Sequence, residues 1–116
     1  MNRILILFTL FILFGCAATN PLTSNSMKIE RGFTKEQVVS ILDMPLDKQF
    51  HGKDEAWQYC STGFSTDSFL IVWFYDERVT GMQTYKNNTG VGMCTSFFKT
   101  IRWEDAPDRS IEFRLR

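Results

Sequence analysis

The sequence predicts an α+β domain in which a short helix near the N-terminus precedes three or four β-strands. Two observations carry that reading. Residues 33–45 hold a helix start, one apolar stripe and a helix stop, all at helical spacing. From Ala56 onward the apolar pattern changes to period two, and Ser68–Tyr75 is apolar at nearly every position. The chain has 116 residues, which bounds it to one domain, and its 13 Lys plus Arg balance 13 Asp plus Glu. With no long run of one sign, nucleic acid is a poor partner. Eleven Phe, three Trp and three Tyr supply a core.

The first element is not part of the domain. After Met1-Asn2-Arg3, residues 4–14 read ILILFTLFILF, with Thr9 the single polar residue. A membrane-spanning helix needs about 20 apolar residues, so this run is too short to be one. A charged start, a short apolar region and a small residue at its end describe a secretory signal peptide over residues 1–15. It closes on Leu13-Phe14-Gly15-Cys16, which resembles the bacterial lipobox. That resemblance implies a diacylglycerol on the Cys16 thiol, cleavage before it and acylation of the new amino terminus. Such a multiply acylated anchor holds a protein stably on a membrane. Ala17 follows, rather than the Asp associated with inner-membrane retention. The implied location is the outer membrane, with the domain facing the periplasm. Once Arg3 is removed with the signal, twelve basic and thirteen acidic residues remain.

Residues 16–26 read as the lipidated cysteine and a small, polar tether. The domain proper is expected over 27–104. Thr34 is a good N-cap, Gln37 completes a capping box, and Phe33 can staple onto Val38. Val38, Ile41 and Leu42 form the stripe, and Pro45 ends the helix. Lys35 and Glu36 lie off the stripe and are expected in solvent.

Asp47–Glu55 is polar. Ala56–Ser61 then puts Trp57 and Tyr59 on one face and Cys60 on the other, as a first strand. Ser68–Tyr75 reads as a central strand, Val79–Tyr85 as its hairpin partner, Asn87–Gly92 as a loop and Met93–Trp103 as a fourth strand. Residues 105–116 read as a tail or edge strand, because Ile111, Phe113 and Leu115 alternate with Glu112, Arg114 and Arg116.

Ile29, Gly32, Thr34, Gln37, Val38, Leu42, Pro45 and Leu46, with Trp57-x-Tyr59, follow a known motif. The chain resembles the SmpA/OmlA (BamE-like) family of outer-membrane lipoprotein domains from Ile29 to about Tyr85. The resemblance implies short helices packed on one face of a three- to four-stranded antiparallel sheet, an arrangement shared with β-lactamase inhibitor proteins. It makes Gly32, Thr34, Gln37, Val38, Leu42, Pro45, Trp57 and Tyr59 structural motif residues. Asp43 stands where the family has Gly, Phe33 where it has Met, and Glu77-Arg78 where its turn carries Gly. Residues from Asn87 onward match nothing in the motif. These departures mark a relative of the barrel-assembly subunit rather than that subunit itself.

Of three cysteines, Cys16 is assigned to lipid. Cys60 and Cys94 are expected to form a disulfide in the oxidising periplasm, with roughly 4 kcal/mol of chain-entropy stabilisation. His51 has no ligand cluster around it, so no metal is expected. No motif for catalysis or for a cofactor is present. The expected function is non-enzymatic: a lipoprotein anchored through acylated Cys16, binding envelope proteins in envelope maintenance or outer-membrane barrel assembly. The alternative is a periplasmic inhibitor or ligand-binding lipoprotein that works through an open sheet face.

Overall fold

A computed structural model describes residues 21–88 and 92–109. The signal peptide, Cys16, the start of the tether and the Ile111–Leu115 alternation lie outside the described residues. The elements run α1 (Pro21–Ser26), α2 (Lys35–Leu42), β1 (Asp47–His51), β2 (Asp54–Ser61), β3 (Asp67–Tyr75) and β4 (Arg78–Asn87). Two 3₁₀ turns follow, Cys94–Phe97 and Trp103–Asp105. The strands form one antiparallel sheet in the order β1-β2-β3-β4. The described residues therefore make an α+β fold with two short helices and a four-stranded sheet.

The α2 start is built as its sequence requires. Gln37 N–H donates to Thr34 Oγ1 (3.2 Å), and Thr34 N–H donates to Gln37 Oε1 (2.8 Å), so both halves of the capping box are made. Gly32 sits at φ +90°, a conformation that favours glycine, and its N–H reaches Val79 O (2.8 Å). The helix ends at Asp43, with φ +65° and N–H to Val39 O (2.9 Å). Val38 and Leu42 pack with Trp57, Tyr59, Leu70, Val72 and Phe74, with Phe33 beside them. This cluster is the core between helices and sheet.

Three expectations need correction. Pro21–Ser26 is helical rather than tether, and Leu22 packs against the helix-side core. The strand expected first, at Ala56–Ser61, is the second: Asp47–His51, in the polar run after Pro45, precedes it and pairs with it. The side chains of Asp47–His51 need no apolar alternation, because an edge strand buries little of either face. The strand expected over Met93–Trp103 does not form. That segment crosses the other face of the sheet, where Ile101, Trp103 and Ala106 pack on Ala56, Ile71 and Trp73. This explains why β3 is apolar on both sides. The packing continues past residue 104: Pro107 lies so close over Gly81 that a Cβ there would stand 2.8 Å from its Cγ.

Candidate functional site

The sheet has two faces with different chemistry. On the helix side, α2 brings Lys35 over β2. Lys35 Nζ lies 3.0 Å from Glu55 Oε2 and 3.1 Å from Glu77 Oε2. Trp57 Nε1–H donates to the same Glu55 oxygen (2.6 Å). Glu55 is only 6% exposed, so these partners replace water around a buried carboxylate. The expectation that Lys35 is a solvated side chain is corrected: it is half-buried and spans two carboxylates, whereas Glu36 is exposed. Burial works to lower the Lys35 pKa, but the hydrogen bonds and charges of Glu55 and Glu77 outweigh it and raise it. The amine is held as a cation between the two carboxylates. A cleft of about 380 Å³ opens beside it, walled by Phe50, Asp54, Phe74 and Asp76.

On the opposite face a buried amide network docks the chain after Cys94. Gln58, fully buried, donates to Asp47 Oδ2 (2.9 Å) and Lys99 O (2.8 Å) and accepts from the Tyr85 hydroxyl (2.7 Å). Gln49 accepts from Ile101 N–H (3.1 Å), and Lys99 N–H donates to Tyr85 Oη (3.2 Å). Burial raises the Tyr85 pKa; the Lys99 backbone bond opposes this and the Asp47 charge adds to it. The backbone of residues 99–101 is thus satisfied by side chains instead of by a strand partner. The open sheet face of the alternative reading is occupied by the chain itself.

The sequence-predicted residues fall into three groups. Val38, Leu42, Trp57 and Tyr59 share the helix-side core. Thr34 and Gln37 cap α2, Gly32 makes its entry turn, and Pro45 lies between α2 and β1. Cys60 and Cys94 are joined by a disulfide across a separation of 34 residues, which ties β2 to the segment on the second face. Tyr59 also donates to Asp43 O (2.9 Å), holding the end of α2 to β2. His51 stacks on Trp103 with centroids 5.4 Å apart. Among the described residues, no group of three or more His, Cys, Asp or Glu is placed to hold a metal ion. Sequence reading missed Glu55, Gln58 and Gln49. Gln58 was marked only as a polar residue inside a period-two run, which by itself does not name a partner, and Gln49 and Glu55 sit in the polar stretch before that run, where nothing sets them apart.

An exposed apolar row lies along β1. Met44, Leu46 and Phe50 are 61%, 59% and 64% exposed, and Leu46 and Phe50 flank Lys48 on the helix side of the sheet. Among the described residues, no helix is long and apolar enough to cross a membrane. In comparisons with known proteins, no family model, no curated protein and no solved structure matches this chain.

Proposed function

We propose that the protein is a non-enzymatic outer-membrane lipoprotein of the SmpA/OmlA (BamE-like) kind. Acylated Cys16 anchors it, and its periplasmic domain binds envelope proteins in envelope maintenance or barrel assembly. The observation that carries the reading is the Cys60–Cys94 bond, which takes two of the three cysteines and leaves the one that ends the apolar run. A disulfide suits an oxidising compartment, and a lone cysteine after Leu13-Phe14-Gly15 suits lipid attachment. Short helices on one face of an antiparallel sheet agree with the fold that the motif implies.

The test is labelled palmitate fed to expressing cells, followed by separation of inner and outer membranes. Label should enter the protein, be lost in Cys16→Ser, and travel with the outer membrane. Incorporation that survives Cys16→Ser would remove the anchor from the proposal. Pulldown from solubilised envelope then addresses the partner: recovery of barrel-assembly subunits supports the assembly role, and recovery of a single soluble periplasmic protein favours the inhibitor reading.

A further inference from the structure

The two ends of the sheet differ in charge. The turns that join β1 to β2 and β3 to β4 share one end, and there Lys53, Asp76, Glu77 and Arg78 are all exposed. The other end is built from stretches without a charged side chain: residues 21–27, 44–46, 61–66 and 92–98. Contacts within the fold bring these stretches together. Pro21 of α1 lines one groove with Met44, Leu46 and Cys60. The Cys60–Cys94 bond, and Cys94 N–H donating to Thr62 Oγ1 (3.1 Å), hold Met93 near the β2–β3 loop. Asp67, at the base of that loop, is buried and accepts from Gly63 N–H (3.2 Å), so it adds no exposed charge. Asp43 and Lys86 stand at the rim.

This uncharged end presents apolar side chains to water. Phe64, in the β2–β3 loop, is fully exposed, Met93 is 69% exposed, and Met44 and Leu46 are exposed as well. It is also the end at which Pro21 sits. Five peptide steps join Cys16 to Pro21, at up to ~3.5 Å each, so Pro21 is tethered within about 18 Å of Cys16. So short a tether makes contact between this end and an anchoring membrane intramolecular, and a small apolar area then suffices to hold it. The charged end keeps its water by facing away.

We infer that the uncharged end of the sheet lies on the lipid surface that carries the anchor, with Phe64 and Met93 seated at the boundary of headgroups and acyl chains. The inference rests on acylation of Cys16, and adds to it a fixed orientation of the domain. Recognition is apolar and needs no charge on the lipid. The Lys53 and Asp76-Glu77 turns, and the Lys35–Glu55 cleft beside them, then point away from the membrane.

The experiment uses the full protein, purified from membranes and reconstituted into phosphatidylcholine vesicles that contain a nitroxide-bearing lipid. Flotation with the vesicles reports the anchor. A fluorophore on Phe64→Cys or on Met93→Cys reports the contact, and one on Lys53→Cys is the reference; Cys60 and Cys94, being bonded, take no label. All three substituted side chains are exposed, so melting temperatures should match the parent. Nitroxide quenching at Phe64 and Met93 should exceed that at Lys53 about threefold, and should not change with salt. Equal quenching at the three sites, in protein that floats, would overturn the inference and leave the anchor standing. A label at Phe64 shielded from water but unquenched by the lipid would assign this end to a second copy, and would overturn it too. Protein that does not float removes the anchor, and the inference with it.

Discussion

Lys35 Nζ and Glu55 Oε2 lie 3.0 Å apart at the boundary between α2 and β2, with the carboxylate buried and the amine half-buried. Helix docking and the buried polar chemistry of the sheet meet at this pair. Lys35→Met leaves Glu55 with Trp57 as its one remaining side-chain donor among the described residues, and is expected to lower stability by about 1–3 kcal/mol in urea unfolding. The double variant Lys35→Met/Glu55→Gln should recover part of that loss, since no charge is then stranded. A Lys35→Met protein as stable as the parent would show that the pair contributes nothing.

Ile101 is expected to anchor the second face. Ile101→Ala should cost about 2–4 kcal/mol, because its side chain is buried against Ala56, Ile71 and Trp73. A strand or tail lying loosely on the sheet would lose far less. Calorimetric melting of the two proteins, with the disulfide intact in both, separates these outcomes.

Asp76 and Glu77 join β3 to β4 with φ of +48° and +72°. Both central residues of a tight hairpin turn at positive φ call for Asn-Gly or Asp-Gly. Glu77→Gly should therefore stabilise the hairpin by roughly 0.5–1 kcal/mol, as relief of the left-handed conformation exceeds the loss of an exposed ion pair to Lys35. A lower melting temperature in this variant would mean that the Lys35–Glu77 contact is worth more than the backbone strain.

Burial, and then the charge of Asp43, push the Tyr59 phenol well above its ordinary range. A phenol whose folded pKa is raised stabilises the fold fully below the unfolded value of about 10, and that contribution drains away as pH climbs through the folded pKa. Stability should thus be flat in this term at neutral pH and fall from about pH 10 upward. Tyr59→Phe removes the bond to Asp43 O and should cost about 1 kcal/mol at pH 7, yet show a shallower alkaline decline. Parallel alkaline curves for the two proteins would contradict the assignment.

The disulfide gives the last expectation. Alkylation of the unreduced protein should leave Cys60 and Cys94 unlabelled, and Cys94→Ser should lower stability by roughly 4 kcal/mol in the chain-entropy account. Quantitative labelling of both thiols would be inconsistent with the bond.

By itself the sequence determined what depends on neighbours along the chain. Thr34, Gln37 and Phe33 specify the start of α2 through contacts within one turn, and Pro45 stops it through its own ring. Trp57, Tyr59 and the apolar run of β3 announce strands because side chains alternate faces at period two. The lipobox-like end at Cys16 is likewise legible as a local pattern. The tertiary structure decided whatever depends on a partner distant in sequence. Asp47–His51 carries no strand signature, and becomes a strand because β2 offers it a backbone ladder. Residues 93–103 carry a strand-like composition, and become a cover because Gln49, Gln58 and Tyr85 satisfy the backbone groups of Lys99 and Ile101 from across the sheet. Lys35 looks solvated on a helical wheel; its role follows from Glu55, twenty residues later, arriving beneath it. Local hydrogen bonding and steric rules act over a few residues, so the sequence displays them. The pairing of buried polar groups is set by which surfaces the fold brings together, and no single stretch of sequence encodes that.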